Sequence, residues 1–389
     1  MFASCLINKI NEELRVSHRI LYIDKKIASP VLIVISSSLY NWFIVISEII
    51  HILTPQFVHL QLIKKCTLQL KDKYNRTIDY LRIGVTDRCN LRCRYCMPAE
   101  GIQFSERSDL LTYEEIIRLA EIFKSLGINK VRLTGGEPFV RKDIDQLLRS
   151  LSNIFPNVRI TTNATRLNVP LLKEIGISGL NISLDSLDRE KFFIITRRDE
   201  AVNVMANIHS CIQQKLPIKI NMVVMRGVND MEILDFVDFG IKHGITVRFI
   251  EAMPFNEGDG NRDVFMSAID ILERIHTKYP NANQYNDLEP SSAIHYKIGD
   301  SKFDIIPAYS RSLCGTCNRI RLTPKGELLN CLYSQKGTEL RDLLRDSKVS
   351  NQEIIEIIQQ SVYQKLKDGY EAEEEMTGDV FRSMTTIGG

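Results

Sequence analysis

Residues 89–96 read CNLRCRYC, which places Cys89, Cys93 and Cys96 at Cys-x3-Cys-x2-Cys spacing with no fourth cysteine nearby. Zinc ribbons and ordinary ferredoxin clusters take four thiolate or imidazole ligands. Three thiolates can instead hold three irons of a four-iron cube and leave the fourth iron open to chelate a small molecule. A zinc site completed by a distant ligand is the plainer alternative. A second triplet, Cys314, Cys317 and Cys331, stands in RSLCGTCNRIRLTPKGELLNC at Cys-x2-Cys-x13-Cys spacing, again with no further cysteine downstream. By spacing alone a structural zinc knuckle suits this second set better. Two incomplete iron sites in one chain make a more specific pattern, with the second free to bind substrate at its open iron.

Such sites need a scaffold. Strand-like runs at 80–86, 130–135, 158–163, 179–185, 218–225 and 245–253 alternate with helix-like segments. The clearest helix is TYEEIIRLAEIFKSLG, with Thr112 and Glu115 at capping-box spacing and Gly127 as its stop. Regular βα alternation predicts an α/β fold built on a parallel sheet or barrel. The first cysteine triplet follows the first strand at its carboxyl end, where parallel α/β folds place their chemistry. Asn181, Ser183 and Asp185 share one face of their strand, as do Lys219 and Asn221, and Thr161 and Asn163, on theirs. A filled barrel is lined by branched apolar side chains, so polar residues on successive strands predict a wet interior that holds a ligand. The alternative, a face in open solvent, fits poorly because parallel sheets are normally covered on both sides.

CNLRCRYC together with TGGEP (134–138) resembles the radical S-adenosylmethionine (SAM) superfamily. In that superfamily the open iron binds the amino and carboxylate groups of SAM, and the GGE stretch resembles the loop that receives its amino group. The whole pattern is closest to the GTP 3′,8-cyclases that start molybdenum cofactor biosynthesis. The resemblance covers roughly residues 66–389 and rests on DYLRIGVTDRCNLRCRYCMP, VRLTGGEPFVRKDI, TTNAT, NISLDSL, IKINMVVMRGVND, RFIEAMP, CGTCNRIRLTPKGEL and the terminal RSMTTIGG. One departure is TTNAT, where many relatives carry glycine after the asparagine.

This resemblance implies an incomplete (β/α) TIM-like barrel with a smaller C-terminal region holding a second 4Fe–4S cluster. It implies Cys89, Cys93 and Cys96 as ligands of the catalytic cluster and Cys314, Cys317 and Cys331 as ligands of the second. Tyr95, Gly136, Ser183 and Met253 would contact SAM. Arg82, Arg132, Thr161, Lys219, Arg319 and Arg321, with the backbone at Ile320, would contact GTP, and the terminal Gly388–Gly389 would reach the active site. Arg and Lys suit a triphosphate through charge-assisted hydrogen bonds. In the implied mechanism the reduced cluster cleaves SAM to methionine and a 5′-deoxyadenosyl radical. That radical takes the ribose C3′ hydrogen of GTP, and the resulting carbon radical attacks C8 of guanine. An electron donor and a downstream cyclic pyranopterin monophosphate synthase are the implied partners, and homodimerisation is carried over by analogy. Two other classes compete: a radical SAM peptide-modifying enzyme with an auxiliary cluster, and a non-catalytic iron–sulfur protein. The first usually carries a longer C-terminal cysteine set, and the second has no use for TGGEP or the Arg319–Arg321 pair.

The chain has 389 residues, 44% of them apolar, and a formal net charge of +2, which gives no case for a nucleic-acid partner. Six of nine cysteines fall in the two triplets, a usage that suits a reducing cytoplasm and metal binding more than disulfides. Cys5, Cys66 and Cys211 read as buried or incidental thiols. Residues 1–65 read as an extension outside the family fold, followed by a barrel at 66–253 and a C-terminal region at 254–389. The apolar run 30–53, which has Glu48 as its one charge, leaves membrane attachment or targeting open.

Overall fold

The computed structural model describes residues 69–98, 100–253, 264–286, 291–375 and 383–388. The apolar run 30–53, Cys5 and Cys66 lie outside them. Among the described residues, no helix is long and apolar enough to cross a membrane.

The alternation of strand and helix is realised from β1 to β6. In chain order come β1 (Tyr80–Gly84), α1 (Tyr113–Ser125), β2 (Lys130–Thr134), α2 (Ile144–Ile154), β3 (Asn157–Thr162), α3 (Val169–Glu174) and β4 (Gly179–Ser183). Then follow α4 (Arg189–Thr196), α5 (Ala201–Gln213), β5 (Ile218–Val224), α6 (Ile233–His243) and β6 (Thr246–Glu251). α1 begins with the expected capping box, Thr112 and Glu115 satisfying each other's backbone N–H. It buries Ile116, Leu119, Ala120, Ile122 and Phe123 against the sheet, about 1.5–3 kcal/mol for each large side chain.

The C-terminal region extends the sheet at both edges rather than folding apart. It comprises α7 (Ala268–His276), β7 (Asn283–Tyr285), β8 (Ile294–Ile298), β9 (Ser301–Ile306), β10 (Arg319–Leu322), β11 (Glu327–Leu329) and β12 (Thr338–Glu339). Helices α8 (Arg341–Arg345), α9 (Asn351–Tyr363), α10 (Gly369–Glu374) and α11 (Met384–Ile387) complete it. The strand order is β12-β11-β10-β1-β2-β3-β4-β5-β6-β9-β8-β7. The eight central strands, β10 through β9, run parallel, and the two outermost on each side are antiparallel. The sheet is an open, mostly parallel α/β sheet, not a closed barrel.

Its two faces differ as strand alternation requires. Leu81, Ile83, Val131, Leu133, Ile160, Leu180, Ile220 and Phe249 are fully buried on the helix-packed face. The other face carries the polar set. Parallel register puts Arg321 level with Arg82, Arg82 level with Arg132, and Arg132 level with Arg159, a row of four guanidinium-bearing positions across adjacent strands. Arg132 and Arg321 are buried and Arg82 is half-buried with its Nε inside, so this face is largely a covered interior rather than a solvated surface.

Candidate active site

The first cysteine loop is built by backbone contact between the ends of β1 and β2. Gly136 N–H donates to the Thr86 carbonyl at 2.7 Å, and Glu137 N–H donates to that of Arg88 at 2.9 Å. A Cβ at position 136 would lie 2.3 Å from the Arg88 oxygen, so this approach admits only glycine. Glu137 is wholly buried and accepts from Thr162 Oγ1 (2.8 Å), Asn163 N (2.6 Å) and Phe139 N (3.1 Å), joining the ends of β2 and β3. Burial pushes its carboxyl up to about 7. Asn163 then turns its amide toward Asn90 Oδ1 (3.0 Å) and Cys89 Sγ (3.7 Å). Ala164 sits at φ 57°, left-handed backbone, which explains why the family pattern favours glycine there. From the other side, α4 accepts Arg92 N–H at Thr196 O (2.9 Å) and Arg94 N–H at Ile195 O (3.0 Å).

Cys89, Cys93 and Cys96 open on one cavity of about 1200 Å³, counting its mouth. Tyr95, within the cysteine loop, and Gly136, Ser183, Met253 and Thr161, from four other segments of the chain, line the same cavity. Burial raises all three thiols. Cys89 is pushed to about 11 by burial and Glu137, while burial drives Cys93 and Cys96 far up, with Cys96, Asp185 and Cys89 adding to Cys93, and Cys89 and Asp185 to Cys96. Asp185 accepts from Tyr95 Oη at 2.7 Å and from Val223 N–H at 2.9 Å, and burial raises it to about 6. Burial thus opposes ionisation of all three thiols, and Arg92, whose Nη1 donates to Cys89 O at 2.5 Å, counters it only at Cys89. Among the described residues, no three His, Cys, Asp or Glu side chains gather at the spacing of a single metal ion. Buried thiols so placed suit a cluster of several irons, whose ligands stand farther apart than those of one zinc.

The second triplet lies where β10 and β11 meet the interior. Cys314 opens a short helical turn, Cys317 N–H donates to its carbonyl at 3.0 Å, and Cys331 follows β11. Here burial is opposed by cations. Burial would raise the Cys317 thiol, but Lys365 and Arg319, with hydrogen bonds from Arg319, hold it down to about 6. Cys314 is raised, chiefly by burial. Met253 and Met384 line the first cavity and also pack in the small cluster that includes Cys331, so both triplets open on one interior.

Between them lies the arginine row. Arg132 Nε donates to Tyr80 Oη at 2.5 Å, and its Nη1 reaches Ile160 O (3.0 Å) and Thr161 Oγ1 (3.2 Å). Burial would raise the Tyr80 phenol, yet Arg132 and Arg82 bring it down to about 7. Burial lowers Arg82 to about 10, helped by Arg319 and Arg132, and its Nε has no hydrogen-bond partner. Arg321, lowered by burial, Arg82 and Arg319, donates to Gly388 O at 2.6 Å. That bond carries the C-terminal tail into the interior, and Ser383 Oγ donates to Cys96 O at 2.9 Å; Gly389 lies outside the described residues. The sequence-predicted substrate residues do not all meet. Lys219 stands apart from the arginines and shares Asp304 (3.3 Å) with Arg248 (2.8 Å). The Ile320 side chain points into the apolar core, so only its backbone is available.

Several site residues escaped the sequence reading of roles. Asp185 was legible only as part of a polar strand face. Glu137 sits inside TGGEP, but nothing in the motif shows that its carboxylate is consumed by the fold. Arg248 and Asp304 come together only through β6–β9 pairing, for which the sequence holds no signal. Asn221, whose Oδ1 is buried without a partner, lines the first cavity.

Comparison with known proteins agrees with this geometry. The family model described as Radical SAM superfamily matches residues 83–240, and that described as Molybdenum Cofactor Synthesis C matches 245–371. A Streptococcus suis SuiB structure bound to S-adenosylmethionine aligns with a TM-score of 0.52 at 17% identity, over 75% of this chain and 70% of that one, a likeness of fold. The chain belongs to the radical SAM superfamily, whose members carry a 4Fe–4S cluster and SAM. GTP 3′,8-cyclase of Clostridium botulinum is 40% identical over 325 residues, 82% of this chain and 99% of that protein. The mitochondrial GTP 3′,8-cyclase of Arabidopsis thaliana is 39% identical over 82% of this chain and 83% of its own length. Molybdenum cofactor biosynthesis protein 1 of Dictyostelium discoideum is 40% identical over 82% of this chain, which spans only 52% of that longer relative. Within the superfamily, the chain belongs to the GTP 3′,8-cyclase family.

Proposed function

We propose that this chain is a GTP 3′,8-cyclase, a lyase that converts GTP to 3′,8-cyclo-7,8-dihydroguanosine 5′-triphosphate in the first step of molybdenum cofactor biosynthesis. The observation that carries the reading is the row of Arg82, Arg132 and Arg321, with Arg132 and Arg321 buried and the half-buried Arg82 keeping its Nε inside. No carboxylate pairs with these three among the described residues, and the row lies on the sheet face whose Thr134 and Thr161 line the first cysteine cavity. Buried guanidinium groups without counter-ions call for a polyanion, and a nucleoside triphosphate supplies one. A cluster on Cys89, Cys93 and Cys96, with SAM bound, would supply the radical that abstracts hydrogen from the substrate.

The chain's own work is placement. Tyr95, Gly136, Ser183 and Met253 hold SAM. Arg82, Arg132, Thr161, Lys219, Arg319 and Arg321, with the Ile320 backbone, hold GTP. Cys314, Cys317 and Cys331 hold a second 4Fe–4S cluster that receives the substrate. The covered interior excludes water from the reacting carbons and orients ribose against base. The product would pass to a cyclic pyranopterin monophosphate synthase. The test is anaerobic incubation with SAM and dithionite, with and without GTP. Deoxyadenosine release that depends on GTP, together with loss of GTP, is the expected result. Release that ignores GTP would sink the substrate assignment.

A further inference from the structure

Besides Arg319, which contacts Cys317 and is assigned to substrate above, three cations pin the second cysteine set, and they differ in how their charge is met. Arg76 donates to the carbonyls of Cys314 (3.2 Å), Leu366 (2.5 Å) and Lys367 (2.5 Å), and it pairs with Asp72 at 2.5 Å. Arg311 lies over the rings of Tyr333 (3.8 Å) and Tyr370 (4.5 Å), donates to Gly369 O at 3.1 Å and pairs with Glu373 at 2.6 Å. Lys365, just beyond α9, is only 3% exposed. Its Nζ donates to Arg319 O at 3.0 Å and to Asn330 O, and no carboxylate pairs with it among the described residues.

The two carbonyls locate this charge. Arg319 stands two residues after Cys317, and Asn330 immediately precedes Cys331. The ammonium therefore bridges the two strands that deliver these cysteines. A buried cation with only neutral acceptors is costly unless an anion stands close by. The strands it bridges carry the thiols of Cys317 and Cys331, and its charge is felt at the Cys317 thiol. A cluster on three thiolates becomes more negative on one-electron reduction, and net charge and hydrogen bonding set its potential.

We propose that Lys365 is the fixed counter-cation of an iron–sulfur cluster on Cys314, Cys317 and Cys331, a positioning residue that favours the cluster's reduced form and holds it in place. The proposal rests on the reading that this triplet binds a cluster. It separates Lys365 from Arg76 and Arg311, whose charges Asp72 and Glu373 already answer.

The test compares full-length wild type, Lys365→Gln and Lys365→Arg, purified anaerobically, by iron and zinc analysis and by a redox titration followed by electron paramagnetic resonance. Gln keeps N–H donors for both carbonyls but removes the charge; Lys365→Met replaces it if the Gln variant does not fold. The neutral variant should shift the second cluster's reduction equilibrium at least tenfold toward the oxidised form, about 59 mV for one electron. The first cluster should not move, and Arg should restore the wild-type value. Loss of the second cluster's iron from the neutral variant alone supports the same role. Two full clusters with an unshifted potential overturn the proposal, as does equal iron loss in the Arg variant, which marks a packing role only. Wild type with about four irons and stoichiometric zinc instead overturns the cluster reading on which the proposal stands.

Discussion

The two cysteine triplets have the same ligand count but differ at one thiol: cations hold Cys317 down, whereas Cys314 and the whole first set are raised. Around Cys89, Cys93 and Cys96, burial, Glu137 and Asp185 push every thiol up, and Arg92, which donates to the Cys89 carbonyl, opposes them only at Cys89. Around Cys317 the neighbours are Lys365 and Arg319, and the thiol is held down to about 6 although buried. The first pocket favours a cationic guest and the second an anionic one. SAM carries a sulfonium and an ammonium, while GTP carries a triphosphate. The contrast shows how one ligand pattern, repeated on one sheet, is given two tasks by the side chains that the adjoining strands bring in.

The sharpest way to break the comparison is to remove one ligand from each triplet. Cys93→Ala should abolish deoxyadenosine formation while leaving about four irons per chain. Cys317→Ala should also leave about four irons, yet keep SAM bound and lose GTP turnover. Iron analysis with SAM and GTP binding measurements checks both, and loss of both clusters from either variant, or the same loss of SAM binding from both, would show that the triplets are not independent. A smaller effect is expected from Arg82→Ala. Arg82 is half-buried, its buried Nε is unpartnered, and it has like charges beside it. Its removal costs one charged contact of roughly 1.5–3 kcal/mol, so GTP affinity should fall about ten- to a hundredfold. Iron content should stay at the wild-type level, because no ligand is touched.

Much of this contrast was legible before the fold was seen, and for identifiable reasons. Strand periodicity is local, so the polar face of NISLD and IKINMV could be read from alternation alone. The cysteine triplets are likewise local signals. What was hidden depends on pairing between distant strands. Arg321 comes level with Arg82 only because β10 docks beside β1, across more than two hundred residues of chain. Lys219 joins Arg248 only because β9 brings Asp304 to the edge of β6. Lys365 was invisible for the same reason: in sequence it is one lysine in a charged helical tail, and only tertiary packing places it between the cysteine strands. Ala164 shows the converse, since a departure from the family pattern became a left-handed backbone position once φ was known.

The finest test of the first pocket's preference for cations is Asp185→Asn. Burial raises the folded-state pKa of this carboxyl from the ordinary 3.8 to about 6, despite the bonds from Tyr95 and Val223 that favour its ionised form. The native protein thus keeps a proton that the unfolded chain has already released. The contribution of Asp185 to stability is full below about pH 4 and is lost as pH rises to about 6. Asparagine occupies the same space, can accept from Val223 N–H and can donate to Tyr95 Oη, but it does not titrate. In cluster-free protein the variant should therefore gain stability over wild type between pH 4 and 6 and hold a constant advantage above that range. Each pKa unit is worth about 1.36 kcal/mol, and losing the charge-assisted bond to Tyr95 offsets part of it. The net advantage at neutral pH should be on the order of 1 kcal/mol. With the cluster in place the sign of the effect should reverse for ligand, SAM binding weakening about tenfold because its positive centres lose a buried anion. Denaturation midpoints at several pH values and a SAM titration measure both arms. A stability difference that does not change with pH would mean that Asp185 ionises normally, and the electrostatic division between the two triplets would lose its first half.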